Sequence, residues 1–216
     1  MFNVRSFSRG AIAVAVLAGA AQFARAATIL DTGLQESFFG YVGMDIYADQ
    51  SVGIAFQPTF DCTLDSVGVW FFSNDFDNPG RTYTLKLVTD NGAGPSIPNT
   101  SNVLESWNMA TAAVGWTPVL DQANSSLHPL LHANTWYWIV AEGNEPAGFD
   151  PCWVQSNTSD QYYSAINNSA NPNGWEGGVS FGSTPGTVIN ATAVPEPAAL
   201  GALALLGIGS LRRRPA

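Results

Sequence analysis

The middle of the chain consists of short runs of β-branched and aromatic residues separated by clusters of Gly, Pro and Asn. The run 83–89 alternates apolar with polar residues, as a half-buried strand does, and the dense apolar run 135–141 is typical of a central strand buried on both faces. No long window between the chain ends has a convincing helical period. The pattern therefore predicts an all-β fold, an antiparallel β-sandwich that is jelly-roll-like in outline. Further candidate strands are 28–31, 52–56, 66–72, 103–107, 116–120, 152–155, 179–181 and 187–192.

The charges are unevenly placed along the 216 residues. Residues 27–193 contain 16 acidic side chains but only two basic ones, Arg81 and Lys86, which gives this body a formal net charge of −14. Such a body cannot hold a nucleic-acid backbone by counterion release, and an anionic membrane surface would repel it. Because 46% of the residues are hydrophobic, the acidity belongs to a folded domain and not to a disordered tail.

The first 26 residues have the three parts of a secretory signal peptide. A basic start is followed by an apolar run of 11 residues and then by Ala24 and Ala26, which fit the small-x-small cleavage pattern. The run is too short to span a bilayer as a helix. We expect signal peptidase to remove residues 1–26; a buried N-terminal helix is the alternative.

The C-terminal segment 194–216 combines a helix-breaking start with an apolar stretch and a basic end. The predicted helix at 198–211 would hold the chain in the membrane, and the basic cluster would stay in the cytoplasm by the positive-inside rule. The prolines end any helix before the apolar stretch. The functional positions are Val194, Pro195, Glu196 and Pro197, followed after the apolar stretch by Arg212, Arg213 and Arg214.

In this order, these features resemble the PEP-CTERM sorting signal, and the resemblance covers residues 194–216. In that family a membrane transpeptidase-like enzyme, exosortase, removes the tail near the tripeptide, in Gram-negative bacteria that make extracellular polysaccharide. The resemblance implies export through the inner membrane, transient anchoring, and a final place at the cell surface or in the extracellular matrix. An ordinary tail anchor with an incidental Pro-Glu-Pro is the alternative.

The body 27–193 resembles, at the level of pattern, the choice-of-anchor sandwich domains that bacteria attach to different sorting tails. The resemblance rests on the strands 64–70 and 83–87, the turn 90–95, the Trp-Tyr-Trp run 136–138 and Trp175. It implies a β-sandwich; the two chain ends add the predicted N-terminal signal helix and C-terminal hydrophobic helix on either side of it. It implies no catalytic residue.

Two cysteines, Cys62 and Cys152, occur in a chain expected to enter an oxidising compartment. A disulfide between them is therefore predicted, and it would close a long loop worth about 4 kcal/mol in the chain-entropy model. Two buried thiols are the alternative.

One loop has the composition of a weak calcium site. Asp75 and Asp77 lie two residues apart and are followed by an amide and free carbonyl groups, which are the oxygen ligands that Ca²⁺ takes. The spacing lacks the distal glutamate of an EF-hand. A solvated turn is the alternative, and we expect no other metal or cofactor.

Four aromatic residues late in the body stand among amides and acids. Exposed aromatic rings beside amide and carboxylate groups bind sugars by stacking and hydrogen bonding. The alternative is that these rings pack in the core or at its rim. The candidate glycan-binding residues are Trp153, Tyr162, Tyr163 and Trp175.

Together these features predict an exported protein whose sandwich has a non-catalytic structural or adhesive role, in association with polysaccharide. The alternative is a secreted glycan-active hydrolase, because the body has many carboxylates and their spacing in three dimensions does not follow from the sequence.

Overall fold

A computed structural model of the chain describes residues 26–34, 41–92, 94, 96–156, 163–168, 174–179 and 184–195, and for 163–165, 168 and 177–179 the backbone alone. Residues 1–25 of the predicted signal peptide, among them Ala24, and the tail from Glu196 onward therefore lie outside the described residues, whereas Ala26 is described. Within the described ranges no helix is long and apolar enough to cross a membrane.

Each predicted run overlaps a strand of the described residues, and four further strands in those residues were not predicted. The first half of the chain contributes β1 (Ala26–Asp31), β2 (Gly43–Asp45), β3 (Gln50–Phe56), β4 (Cys62–Ser73), β5 (Thr82–Asp90), β6 (Pro98–Ala110) and β7 (Val119–Asn124). The second half contributes β8 (Leu130–Leu131), β9 (Tyr137–Gly143), β10 (Pro151–Ser156), β11 (Tyr163–Asn168), β12 (Glu176–Val179), β13 (Thr184–Pro185) and β14 (Thr187–Ala193).

These strands form two antiparallel sheets. One has the order β1-β14-β4-β10-β13, with β2 paired to β10 and with β7 and β8 paired to β4. The other has the order β12-β11-β3-β9-β5-β6. The predicted all-β antiparallel sandwich is confirmed, and the predicted terminal helices fall outside the described residues.

The core lies between the sheets and is made by alternate residues of facing strands. Val69 and Phe71 of β4 meet Leu85 and Leu87 of β5 in one buried cluster. The strand β9 is buried from Tyr137 to Ala141 because it lies between β3 and β5, as the run 135–141 predicted. Residues of the opposite parity form smaller clusters on the outer face of each sheet.

The two cysteines lie near opposite ends of β4, one in this strand and one in the neighbouring strand β10. Cys62 begins this strand, whereas Cys152 in β10 pairs with Phe72, ten residues further along. At about 3.3 Å per residue they are roughly 30 Å apart, whereas a disulfide needs Cα atoms about 4–7 Å apart. Both thiols are free and buried. The predicted disulfide is therefore wrong, and the alternative of two buried thiols is confirmed.

Candidate ligand-binding site

An open pocket of ≈ 420 Å³ lies on the outer face of the eight-stranded sheet, where β2 and β4 end. It combines aromatic and aliphatic surface with a carboxylate and an amide, which is the usual chemistry of a small-ligand site. The lining residues are Tyr41, Val42, Gly43, Asp45, Phe72, Asn74 and Trp116.

The close approach of β2 to its neighbours requires a glycine in the pocket. A Cβ atom at Gly43 would lie 2.8 Å from the ring of Phe72 and 2.9 Å from the carbonyl oxygen of Trp153. Without that atom, the buried ring of Phe72 can pack directly against the β2 backbone and supply the apolar part of the lining.

The exposed indole of Trp116 is held at the pocket by the turn that precedes β7. Gly115 accepts a backbone hydrogen bond from Ser73 and donates one to Asp75, which ties this turn to the end of β4. Gly115 has a φ of +59°, and a Cβ there would lie 2.8 Å from the Phe76 ring. That ring packs edge-on against Trp116, with centroids 5.5 Å apart. The turn thus presents Trp116, which is 66% exposed, on a fixed backbone.

Strand pairing brings two distant carboxylates together beside the pocket. Asp45 pairs with Cys152 across β2 and β10, and Asp150 precedes β10. The Cys152 thiol donates to Asp45 Oδ1 over 2.8 Å, and the Asn74 amide donates to the same oxygen over 3.3 Å. Asp45 is exposed, whereas Asp150 is only 1% exposed and accepts a hydrogen bond from the Gly148 N–H at 2.6 Å.

Two members of this group, Asp150 and Cys152, have raised pKa values. Burial raises the pKa of Asp150, and the nearby charge of Asp45 raises it further. Burial also raises the pKa of the Cys152 thiol, as do its hydrogen bond to Asp45 and the two carboxylate charges. Cys152 therefore stays a thiol at neutral pH and is not an activated nucleophile.

Asp45, Asp150 and Cys152 also have the composition of a metal site. Their ligand atoms lie within 4.8 Å of one another. A metal would have to displace the thiol proton that Cys152 shares with Asp45, so binding there would release a proton.

The loop predicted to hold calcium has another arrangement. The carboxylate of Asp75 accepts hydrogen bonds from the N–H groups of Asp77 and Asn78 and forms an ion pair with Arg81. The Asp77 N–H bond, then the Arg81 guanidinium, lower the pKa of Asp75 to about 2. Asp75 therefore organises its own turn, and a calcium ion at Asp75 and Asp77 would have to displace Arg81.

Trp153 and Trp175, the two late aromatic residues whose side chains the structure describes, do not share one surface. Trp153 is 0% exposed; it faces the core, and its indole N–H donates to the Gly186 carbonyl. Its assignment to glycan binding is wrong, because a ring without exposed surface cannot stack on a sugar. Trp175 is half-buried against the Trp138 cluster on the outer face of the other sheet. Tyr162 and the side chain of Tyr163 lie outside the described residues.

The sequence interpretation missed Trp116 by placing it inside a strand at 116–120. The strand β7 begins only at Val119, and Trp116 lies in a turn. The glycine before it and the Thr-Pro pair after it were the available signals. Asp45 and Asp150 left no sequence signal, because only the register of β2 and β10 brings them together.

No family model and no curated protein matches the sequence. Among solved structures, the chain is similar to the carbohydrate-binding module CBM36 in complex with calcium and xylotriose, with 14% identity, a TM-score of 0.30, and coverage of 60% of this chain and 94% of that one. It is also similar to TmCBM61 in complex with β-1,4-galactotriose, with 11% identity, a TM-score of 0.30, and coverage of 67% and 88%. A structure of infectious bursal disease virus, strain Gx, covers 84% of this chain at 10% identity with a TM-score of 0.29, and the chain spans 46% of its length. At this level the comparisons carry no inference about a ligand.

Proposed function

We propose that this protein is an exported surface protein whose β-sandwich binds a polysaccharide, without cleaving it, in the pocket at Trp116. The exposed ring of Trp116 carries this proposal. All seven tryptophans of the chain are described, and the other six are buried or half-buried. An exposed indole beside polar groups is the arrangement by which proteins stack on sugar rings.

Hydrogen-bonding groups for sugar hydroxyls lie in the same pocket. Within the described part of the chain, Asp45 Oδ2, Asn74 Oδ1 and the Tyr41 hydroxyl make no hydrogen bond. A ligand stacked on Trp116 would find two acceptors and a hydroxyl whose capacity the fold leaves unused. Such groups fix the orientation of a ligand that the aromatic surface holds.

The paired carboxylates do not favour the hydrolase alternative. Asp150 has the raised pKa of a general acid, but its side chain is buried and is not part of the pocket lining. A glycosidase needs both carboxylates to reach the scissile bond. We therefore expect no cleavage of chromogenic glycosides by the purified protein.

The binding test compares two tryptophan variants of the full chain, purified in mild detergent. After a glycan array has identified a ligand, Trp116→Ala should weaken its binding about 30-fold, since truncating a central aromatic costs about 2 kcal/mol. Trp175→Ala is the control, because this ring lies on the other sheet. Calorimetry measures the affinities, and circular dichroism checks the fold. Loss of binding in Trp175→Ala with full binding in Trp116→Ala would refute the assignment of the site.

The first residues of the C-terminal tail are exposed on the protein, so they are accessible to the processing enzyme that this cell-surface proposal requires. Val194 and Pro195 are exposed directly after β14, and the N–H of Val194 bonds to the carbonyl of Asp61. The segment that resembles the sorting signal therefore leaves the sandwich at its surface. We propose that signal peptidase removes residues 1–26 and that exosortase processes the chain at Pro195-Glu196-Pro197.

Mass spectrometry of the exported protein tests the processing. In a host with exosortase, the mature form should lack Arg212, Arg213 and Arg214. Replacing Pro195-Glu196-Pro197 by three alanines should leave full-length precursor in the inner membrane, because the helix can then extend backwards. A surface form that still carries the three arginines would identify a permanent anchor instead.

A further inference from the structure

The pocket holds negative charge that the fold does not neutralise. Asp45 lines it, and Asp150 lies directly behind. The body has two basic side chains, and each is paired elsewhere: Arg81 with Asp75 and Glu145, and Lys86 with Glu142. No cationic side chain in the described ranges forms an ion pair with Asp45 or Asp150.

The Asp45 carboxylate is fixed in position with one oxygen unused. Its Oδ1 accepts from Cys152 and Asn74, and this holds the group in one orientation. Its Oδ2 has no hydrogen-bond partner within the described ranges, and the side chain is exposed. A carboxylate oriented in this way offers a strong, charge-assisted hydrogen bond to a cationic donor.

The rest of the pocket also suits a small cation attached to a sugar. An ammonium group needs three acceptors, and Asp45 Oδ2, Asn74 Oδ1 and the Tyr41 hydroxyl are the unused ones. The face of Trp116 adds cation–π attraction. Uronate and sulfate polymers would be repelled by the same carboxylates and by the net charge of −14 over residues 27–193.

We propose that the Trp116 pocket selects polysaccharides that carry free amino groups, that is, polymers of de-N-acetylated hexosamine. This inference rests on the proposed polysaccharide-binding function and names its ligand class. The ring of the sugar stacks on Trp116, and its ammonium group pairs with Asp45. A divalent cation held by Asp45, Asp150 and Cys152 is the competing occupant.

The experiment uses the full chain in mild detergent and two hexamers that share one backbone, β-1,4-linked glucosamine and β-1,4-linked N-acetylglucosamine. By calorimetry in low salt, the amine form should bind about tenfold more tightly. The preference should shrink in 0.5 M NaCl, because salt screens an exposed ion pair. Asp45→Asn should abolish the preference, whereas Asp49→Asn, which removes the same charge from a nearby exposed position, should leave it intact.

Each outcome separates this inference from the proposed function. Equal binding of the two hexamers, or binding of another neutral glycan alone, overturns the amine preference and leaves polysaccharide binding in place. Failure of every glycan to bind overturns both. A preference that disappears with EDTA and returns with Ca²⁺ or Zn²⁺ assigns the carboxylates to a metal and overturns the inference.

Discussion

Trp153→Ala should lower the free energy of unfolding by about 3–5 kcal/mol, the cost of truncating a fully buried aromatic side chain. The ring stacks on Phe71 with centroids 5.9 Å apart, and its N–H donates to the Gly186 carbonyl at 3.0 Å. Truncation leaves a cavity between the sheets and removes one of the two donors to the Gly186 carbonyl, which keeps its bond from the Trp70 N–H. Urea denaturation followed by far-UV circular dichroism measures the loss.

Trp175→Ala is the matched control for Trp153→Ala, because it removes the same side chain from a half-buried position. It should cost well under half as much. Glycan affinity per folded molecule should be unchanged in both variants, since neither ring lines the pocket at Trp116. A Trp153→Ala protein with normal stability and no glycan binding would restore Trp153 as a binding residue.

Glu105→Ala should cost about 2–3 kcal/mol of stability, because it removes a buried carboxylate that satisfies several donors. Glu105 in β6 accepts from the Ser125 hydroxyl at 2.6 Å and from the N–H groups of Ser126 and Leu127 at 2.7 and 3.2 Å. These bonds hold the loop after β7 against the edge strand β6. Glu176→Ala, at an exposed strand position, is the control and should cost little. Equal losses in the two variants would contradict this role.

The stabilising effect of Glu105 should also depend on pH. Burial alone would raise its pKa, but the hydrogen bonds from Ser125, Ser126 and Leu127 outweigh burial and lower the pKa below its ordinary value of 4.5. A carboxyl group with a lowered folded-state pKa stabilises the protein above the unfolded-state pKa, and this contribution is lost as pH falls. The stability difference between the native protein and Glu105→Gln should therefore shrink below about pH 4.5. A difference that stays constant down to pH 3 would rule out the ionised acceptor.

The strands followed from the sequence because their signal is local. In β4 and β5 the side-chain alternation fixes which residues face the core, and the run 135–141 showed by its density that β9 is buried on both faces. Trp153 was misassigned because its polar sequence neighbours were weighed above strand parity. That parity places Trp153 with Phe71 inside and Cys152 with Phe72 outside.

The candidate site could not be predicted, because it depends on which strands pair, and a single sequence does not show that. The partner of β10 is set by pairing between segments about a hundred residues apart, so neither the separation of the cysteines nor the meeting of Asp45 with Asp150 was accessible. The turn position of Trp116 could have been predicted, since Gly115 before it and the Thr-Pro pair after it mark a turn.

The placement of β14 against β4 also determines how the domain would carry a mechanical load. The C-terminal end of β14 lies beside Cys62, at the start of β4, whereas the pocket lies at the far end of β4, near Phe72 and Asn74. A pull between a polymer in the pocket and the C-terminal end of β14 therefore runs along these two strands in opposite directions. Since the hydrogen bonds of antiparallel strands lie across that direction, the seven residue pairs between β14 and β4 are loaded together in shear and do not open one at a time.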